Sequence, residues 1–357
     1  MLAIIWFGTI MKPFLFALLC VAAFAQTPAS SNVRGSEYPK LFPDGRAMFR
    51  ITAPQAKSVA VELMGTTIAP FAMTAGEKGV WTVTTPPIAP GFHYYAIVID
   101  GVRTNDPGSE TYFGWARQTS GIDVPDPKAT FYEERDVAHG EVRVLWYKSK
   151  VTGETRRIFV YVPPDYDQDL KRRYPVLYLQ HGSGESERGW TLQGRANFIA
   201  DNLLAAKKAQ PFLIVMENGY GVGRSNEAFE RIVVEDLVPF IDGKFRTEAN
   251  ARGRAMAGLS MGGGQALTIA ANHPEVFGSV ASLSGASRSF DVEKFKRPMR
   301  LFWIGCGTED RLFEGSKKIH EQLTAAKIPH EWWEGEGTHE WQTWRKHFYD
   351  LAQKLFR

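Results

Sequence analysis

One serine in this chain stands in a setting that predicts nucleophilic catalysis. Ser260 occupies the middle of residues 258–262, which match the pattern G-x-S-x-G. The apolar run 254–258 predicts a buried strand before it, and residues 262–272 predict a helix behind it. A sharp turn from strand to helix exposes such a serine on a strained backbone, and flanking glycines remove side chains that would clash. The alternative is a glycine-rich turn that contains a serine by chance.

A serine hydroxyl is a weak nucleophile at neutral pH, so it needs a general base, and the base needs an acid to fix its tautomer. In proteins that have this strand–turn–helix arrangement, the acid follows the nucleophile along the chain and the histidine follows the acid. Asp310 follows the apolar run 301–305, and His339 lies in the later loop 335–341. We therefore predict His339 as the base and Asp310 as the acid, with Glu309 as the rival carboxylate.

Ester or amide chemistry also requires two backbone N–H groups that stabilise an oxyanion. Met261 directly follows the predicted nucleophile and supplies the first. The second is expected in the loop after the apolar run 175–180, from Ser183 or alternatively Gly184. His181 lies beside this glycine turn, where we expect a structural histidine rather than a base. His347 lies in a predicted C-terminal helix, where we expect it to pack.

Composition and charge narrow the function class. The 357 residues exceed the usual size of one domain, so two domains are expected. A hydrophobic fraction of 44% with 23% charged residues is that of an ordinary globular protein. The formal net charge of +3 gives no reason to expect nucleic acid or an anionic membrane as a partner. No cluster of metal ligands is evident in the sequence, and we expect neither a metal nor a cofactor.

Residues 1–25 have the pattern of a signal peptide. Lys12 supplies a basic start, an apolar stretch follows, and residues 23–25 fit an A-x-A cleavage site. Met11 is an alternative start, and a membrane anchor is the alternative interpretation. Cleavage would remove Cys20 and leave only Cys306, so no internal disulfide could form. We therefore expect a secreted or periplasmic protein that has no contact with the membrane after cleavage.

The remaining chain divides into two patterns. Residues 26–37 are small and polar and predict a linker, and residues 38–124 predict a β-sandwich of short strands between Pro and Gly turns. A second linker is expected at 125–130. In residues 131–357, apolar runs alternate with helical stretches, which predicts an α/β domain with a mostly parallel sheet. Ligands bind such sheets at the carboxyl ends of the strands.

These residues resemble a known family. Residues 258–267, the turn His273–Pro274, residues 337–341, and His181–Gly182 with Trp190 are similar to carbohydrate esterase family 1. That family includes feruloyl esterases and acetyl xylan esterases, and enterochelin esterases are close relatives. The resemblance implies an α/β-hydrolase fold for residues 131–357 and ester cleavage by a serine mechanism without a cofactor.

The front of the chain resembles a second family. Residues 79–83, 90–95, 100–101 and 106–108 are similar to the immunoglobulin-like early-set β-sandwich of carbohydrate-binding module family 48. We expect Trp81 to pack in the sandwich core rather than to bind sugar. The resemblance implies a module that docks on the esterase and shapes the rim of its active site.

The resemblance also implies substrate-binding residues. Asn218 lies in a loop similar to the Asn-Gly loop of these esterases, Trp190 follows the oxyanion turn, and Gly182 lies within that turn. Ser183 departs from the family, because relatives often carry an aliphatic residue there. The implied partner is feruloylated or acetylated xylan and its oligosaccharides. Among these substrates, feruloyl esters of arabinoxylan are the ones we expect. The alternatives are an acetyl xylan or enterochelin-type esterase, or a polysaccharide-binding protein with a relic hydrolase domain.

Overall fold

The computed structural model describes residues 26–221, 223, 225–285 and 290–357. The predicted signal peptide, its cleavage site and Cys20 lie outside the described residues. Among the helices within these ranges, none combines the length and the apolar character that crossing a bilayer requires.

The first part of the chain forms two antiparallel sheets, which we call the front sheets. In chain order the strands are β1 (Thr27–Pro28), β2 (Lys40–Leu41), β3 (Ala47–Thr52), β4 (Val59–Leu63), β5 (Phe71–Ala72), β6 (Thr74–Ala75), β7 (Val80–Thr84), β8 (Gly91–Ile99), β9 (Val102–Thr104), β10 (Thr111–Gly114) and β11 (Arg117–Val124). One sheet has the order β1-β2-β3-β7-β6, and the other has the order β10-β11-β8-β4-β5 with β9 paired to β8.

Alternating side chains build the core between these two sheets. Ala47, Phe49 and Ile51 of β3 are buried, while the residues between them face outward, as the two-residue period of a strand requires. They belong to the same apolar cluster as Val61 and Ile97 from the opposite sheet. The indole N–H of Trp81, which is partly buried against this cluster, donates to the carbonyl of Ala53 at 3.0 Å.

Two segments of this part differ from the sequence-based expectations. The predicted linker 26–37 contains β1, which pairs with β2, and Ala29 within it is buried in the core. Its small polar residues hide this pairing, because they show no apolar alternation. The sequence of residues 106–115 concentrates aromatic side chains and predicts a loop, but the segment contains β10, which forms a hairpin with β11.

The second part of the chain is built on one sheet of eight strands. In chain order they are β12 (Glu141–Lys148), β13 (Thr155–Val162), β14 (Val176–Gln180), β15 (Leu213–Glu217), β16 (Arg254–Leu259), β17 (Ser279–Leu283), β18 (Leu301–Gly307) and β19 (Glu331–Gly335). The spatial order is β12-β13-β15-β14-β16-β17-β18-β19. The pairs from β15 to β19 are parallel, and β12 and β13 add an antiparallel edge. The four strands β14 to β17 are buried along their whole length, as continuous apolar runs predict.

Helices cover both faces of this sheet. They are α1 (Gly189–Leu192), α2 (Ala196–Ala205), α3 (Asn226–Arg231), α4 (Val238–Lys244), α5 (Met261–Asn272), α6 (Phe313–Ala325) and α7 (Trp341–Ala352), and a π-helical stretch, Ile232–Leu237, joins α3 to α4. Residues from α4, α5 and α6 share one apolar cluster with the sheet, and residues from α2 and α7 share another. The second cluster also contains Phe92 and Tyr94 of β8, so the front sheets pack directly on the second part.

Candidate active site

Ser260 lies in a strained turn between β16 and α5. Its φ of 52° and ψ of −115° are unfavourable for a residue with a Cβ atom, and its N–H donates to the carbonyl of Leu283 at 2.9 Å. Space around the turn is tight: a Cβ atom at Gly262 would lie 2.6 Å from the carbonyl oxygen of His181. The strand, the turn and the helix therefore present Ser260 at the carboxyl edge of the sheet, as its sequence motif predicts.

The three residues predicted as nucleophile, base and acid meet at this edge. His339 Nε2 lies 2.9 Å from Ser260 Oγ, and His339 Nδ1 lies 2.8 Å from Asp310 Oδ2. Both are hydrogen-bonding distances: the first is short enough for proton transfer from a nucleophile to its base, and the second is short enough for a carboxylate to orient the imidazole. Asp310 follows β18 and His339 follows β19, so the ends of neighbouring parallel strands bring the two side chains together.

The surroundings of Asp310 keep its carboxylate ionised. Burial raises the pKa of Asp310, but hydrogen bonding to His339 and to the Leu312 N–H, with the charge of His339, outweighs burial and leaves the pKa below its ordinary value. The Leu312 N–H donates to Asp310 Oδ1 at 2.8 Å. The rival Glu309 is exposed, and within the described ranges its carboxylate has no hydrogen bond to His339.

The loop after β14 passes directly beside the serine. A Cβ atom at Gly182 would lie 2.6 Å from Leu259 Cδ1 and 3.3 Å from Ser260 Cβ, so a side chain there would crowd the serine turn. The Gly184 N–H donates to Tyr220 Oη at 2.7 Å. By contrast, neither the Ser183 nor the Met261 N–H donates to any group in the part of the chain that the structure describes. This difference favours Ser183 over Gly184 as the second oxyanion donor.

Two other histidines near the site have structural surroundings. His181 Nδ1 donates to the Gly182 carbonyl at 2.7 Å and its Nε2 accepts from the Gly219 N–H at 3.0 Å, so its ring ties two loops together. Burial lowers the pKa of His181 to about 4 and that of His347 to about 3, so both rings are neutral at physiological pH. His347 packs edge-on against Trp333, with ring centroids 4.4 Å apart.

The prediction that Trp190 contacts substrate needs correction. Its side chain is 1% exposed, and its ring packs edge-on against Trp341 at a centroid distance of 5.4 Å. Its indole N–H donates to the Gln180 carbonyl at the end of β14. Sequence order places Trp190 after the oxyanion turn, but α1 directs the side chain inward. Trp190 therefore packs in the interior beneath the loop that follows β14, and its side chain does not reach the surface.

Asn218 lies in the wall of a cleft of about 570 Å³. Its amide donates to Glu187 Oε2 at 3.4 Å, and its Oδ1 accepts from the Tyr220 N–H at 3.3 Å. Neither Ser260 nor His339 lines this cleft, so it opens beside the reacting groups rather than over them.

A buried polar network that the sequence does not signal joins the front sheets to the loop between β14 and α1, residues 181–188. We call this segment the oxyanion loop because it carries the predicted donor Ser183. Tyr94 Oη of β8 donates to Glu185 Oε1 at 2.9 Å, and the Trp341 indole N–H lies 3.3 Å from the same oxygen. Burial raises the pKa of Glu185 to about 8. Nearby, the Ala116 N–H of the β10–β11 hairpin donates to the Gly184 carbonyl at 2.8 Å. The members come from three distant segments, so no local motif marks them.

Comparison with known proteins agrees with this architecture. Residues 149–355 match the family model named Esterase. The endo-1,4-beta-xylanase/feruloyl esterase of Xylanibacter ruminicola is 41% identical over 348 residues, which cover 92% of this chain and 47% of that protein. The chain spans about half the length of the curated relatives it matches.

Solved structures share the fold. A CE1 ferulic acid esterase from Anaeromyces mucronatus has a TM-score of 0.59 and 24% identity, covering 65% of this chain and 96% of that chain. The enterobactin esterase FES of Shigella flexneri has a TM-score of 0.67 and 20% identity, covering 87% of this chain and 94% of that chain. The resemblance to carbohydrate esterase family 1 is thus confirmed, whereas the resemblance of the front sheets to carbohydrate-binding module family 48 stays a prediction. This chain belongs to the esterase family and has the α/β-hydrolase fold.

Proposed function

We propose that this esterase is exported and hydrolyses feruloyl esters of arabinoxylan through Ser260, His339 and Asp310. One observation supports this most: the continuous line of hydrogen bonds from Ser260 Oγ through His339 to Asp310, which ends on a buried carboxylate. In this arrangement the carboxylate orients the imidazole and the imidazole can accept the serine proton, as a serine mechanism requires.

In the proposed reaction, His339 Nε2 accepts the Ser260 proton as Oγ attacks the ester carbonyl carbon. The N–H groups of Met261 and Ser183 stabilise the oxyanion. His339 then donates the proton to the departing alcohol oxygen, which leaves an acyl-serine. A water molecule, deprotonated by His339, attacks the acyl carbon and releases the acid, and the proton returns to Ser260. Asp310 stabilises the imidazolium that forms in each half of the cycle.

The substrate class is supported by the Xylanibacter ruminicola relative, whose name combines xylanase and feruloyl esterase. The second candidate is an enterochelin-type esterase, because the Shigella flexneri likeness covers 87% of this chain and so extends into the front sheets. Export is supported by the signal-peptide pattern of residues 1–25. Protein recovered outside the cytoplasm should begin at Gln26. A protein found only in the cytoplasm with its first residues intact would refute export.

Kinetics with methyl ferulate, acetylated xylan, a catecholate ester and 4-nitrophenyl acetate side by side test the substrate. We expect the highest kcat/KM on methyl ferulate among the specific esters. Ser260→Ala should lower kcat by about 10⁴-fold or more and abolish labelling by a fluorophosphonate probe. A purified variant that keeps more than about a tenth of the wild-type turnover would refute the assignment of the nucleophile. A preference for the catecholate ester would instead support the enterochelin-type activity.

A further inference from the structure

The cleft that contains Asn218 opens at the β12–β13 edge of the large sheet. Its volume of about 570 Å³ lies in the range of ligand sites in proteins. The walls come from Trp146 of β12, Arg157 of β13, the loop that carries Glu187 and the loop that carries Tyr220. The proposed reaction uses none of these side chains, so their arrangement needs another explanation.

Trp146 supplies a flat apolar wall. Its side chain is 60% exposed, whereas the side chain of Tyr147, the next residue in β12, is buried. An exposed aromatic at a concave site offers a large rigid surface that loses little conformational entropy on binding. The C–H face of a sugar ring is flat and weakly apolar, and it complements such a surface.

The opposite wall is polar and has no excess of positive charge, because each of its two arginines is paired with a carboxylate and Glu154 adds an exposed carboxylate. Arg157 Nη2 lies 2.6 Å from Glu187 Oε1, and Glu187 is 4% exposed. Arg156 is paired in the same way with Glu217, at 2.5 Å. Paired guanidinium and carboxylate groups offer donors and acceptors to hydroxyl groups without a net charge that would attract an anion. This lining favours an uncharged polyhydroxyl ligand over an anion, and over an aromatic acyl group that needs an apolar pocket.

The cleft adjoins the oxyanion loop at one end. Tyr220 lines the cleft, and its hydroxyl accepts the Gly184 N–H, one residue beyond Ser183. A sugar chain whose ester carbonyl lies at Ser260 can therefore extend from the oxyanion loop along this cleft. We propose that the cleft is a saccharide subsite for the xylan chain that carries the ester, with Trp146 stacking on a sugar ring. This inference rests on the proposed function, whose substrate it specifies.

Binding can be measured without turnover. Full-length protein with Ser260→Ala is titrated calorimetrically with an unesterified arabinoxylo-oligosaccharide, with and without Trp146→Ala. We expect Trp146→Ala to weaken binding about tenfold, which corresponds to about 1.4 kcal/mol. Val144→Ala is the matched control, because Val144 lies two residues earlier on the same face of β12, is 41% exposed and does not line the cleft. It should leave binding unchanged.

In the active enzyme, Trp146→Ala should lower the ratio of kcat/KM for a feruloylated arabinoxylo-oligosaccharide to kcat/KM for methyl ferulate about tenfold, in line with the same loss of binding. Equal binding by the Trp146→Ala and Val144→Ala proteins would overturn the subsite. An equal loss on both substrates would also overturn it, because the cleft would then hold the acyl group. Oligosaccharide binding that depends on Trp146 in a protein without feruloyl esterase activity would support the subsite and refute only the proposed substrate.

Discussion

Replacing Asp123 by alanine should destabilise the whole protein, because this residue connects the front sheets to helix α7 of the second part of the chain. Asp123 lies in β11, and its carboxylate oxygens accept from Arg345 Nη1 at 3.1 Å and Nη2 at 2.8 Å. The Arg345 side chain, on α7, is 0% exposed. Asp123→Ala would therefore leave a buried guanidinium without its carboxylate.

The magnitude follows from what remains around Arg345. Removing one partner of a buried ion pair costs about 3–5 kcal/mol, because the other charge stays buried and unpaired. Arg345 would keep the Gln193 carbonyl, which accepts from Nε at 2.8 Å, and the face of Tyr132, whose ring centroid lies 4.4 Å away. Both stabilise a cation, so we expect a loss of about 3 kcal/mol, at the lower end of the range.

Urea unfolding of the full chain, followed by circular dichroism and tryptophan fluorescence, measures this loss. Glu62→Ala is the control, because Glu62 pairs with Arg103 in the same front sheets but at the exposed surface, and it should change the urea midpoint far less. Adding Arg345→Met to Asp123→Ala should restore part of the stability by removing the orphaned charge. A loss below about 1 kcal/mol, or no recovery in the double variant, would refute the reasoning.

The remaining predictions concern the active site and its support. Asp310→Asn should lower kcat strongly but less than His339→Ala does, because the acid only orients and stabilises the histidine; a larger effect from Glu309→Gln than from Asp310→Asn would show that the acid is Glu309. Burial raises the pKa of Glu185 from its ordinary 4.5 to about 8, so the folded protein takes up a proton there and loses stability as the pH rises from about 5 to 8. The stability of Glu185→Gln relative to wild type should therefore increase between pH 5 and pH 8, and an unchanged difference in urea midpoint would contradict this. Deleting residues 26–124 should lower turnover even on methyl ferulate and lower the melting temperature of the esterase, whereas unchanged values for both would show that the front sheets do not support the site.

The residues of the proposed triad could be predicted because each lies in a local pattern at the end of a strand. Ser260 combines a buried strand, a glycine turn and a helix within a short stretch, and these elements together determine the position of its hydroxyl. Asp310 follows the apolar run of β18 and His339 lies in the loop after β19, and these parallel strands place their carboxyl ends at one edge of the sheet. Periodicity and chain order were therefore sufficient to predict that these three side chains meet.

Other features could not be predicted because they depend on packing between distant segments. The exposure of Trp190 depends on the orientation of α1 against Trp341, which no local pattern encodes. The pairing of β1 with β2 involves strands of two residues, too short to show an alternation. The bond between Tyr94 and Glu185 joins side chains that are 91 residues apart in the sequence.

The oxyanion loop shows why these long-range contacts matter for catalysis. Donors stabilise an oxyanion best when they are already in place, because no energy is then spent on reorientation during the reaction. Gly184 is held on the esterase side by Tyr220 Oη and on the front side by the Ala116 N–H. Glu185, the next residue, is held by Tyr94. Part of the geometry of the loop that contains Ser183 thus depends on the front sheets. We therefore expect the front sheets to affect turnover at the proposed site, whether or not they bind carbohydrate.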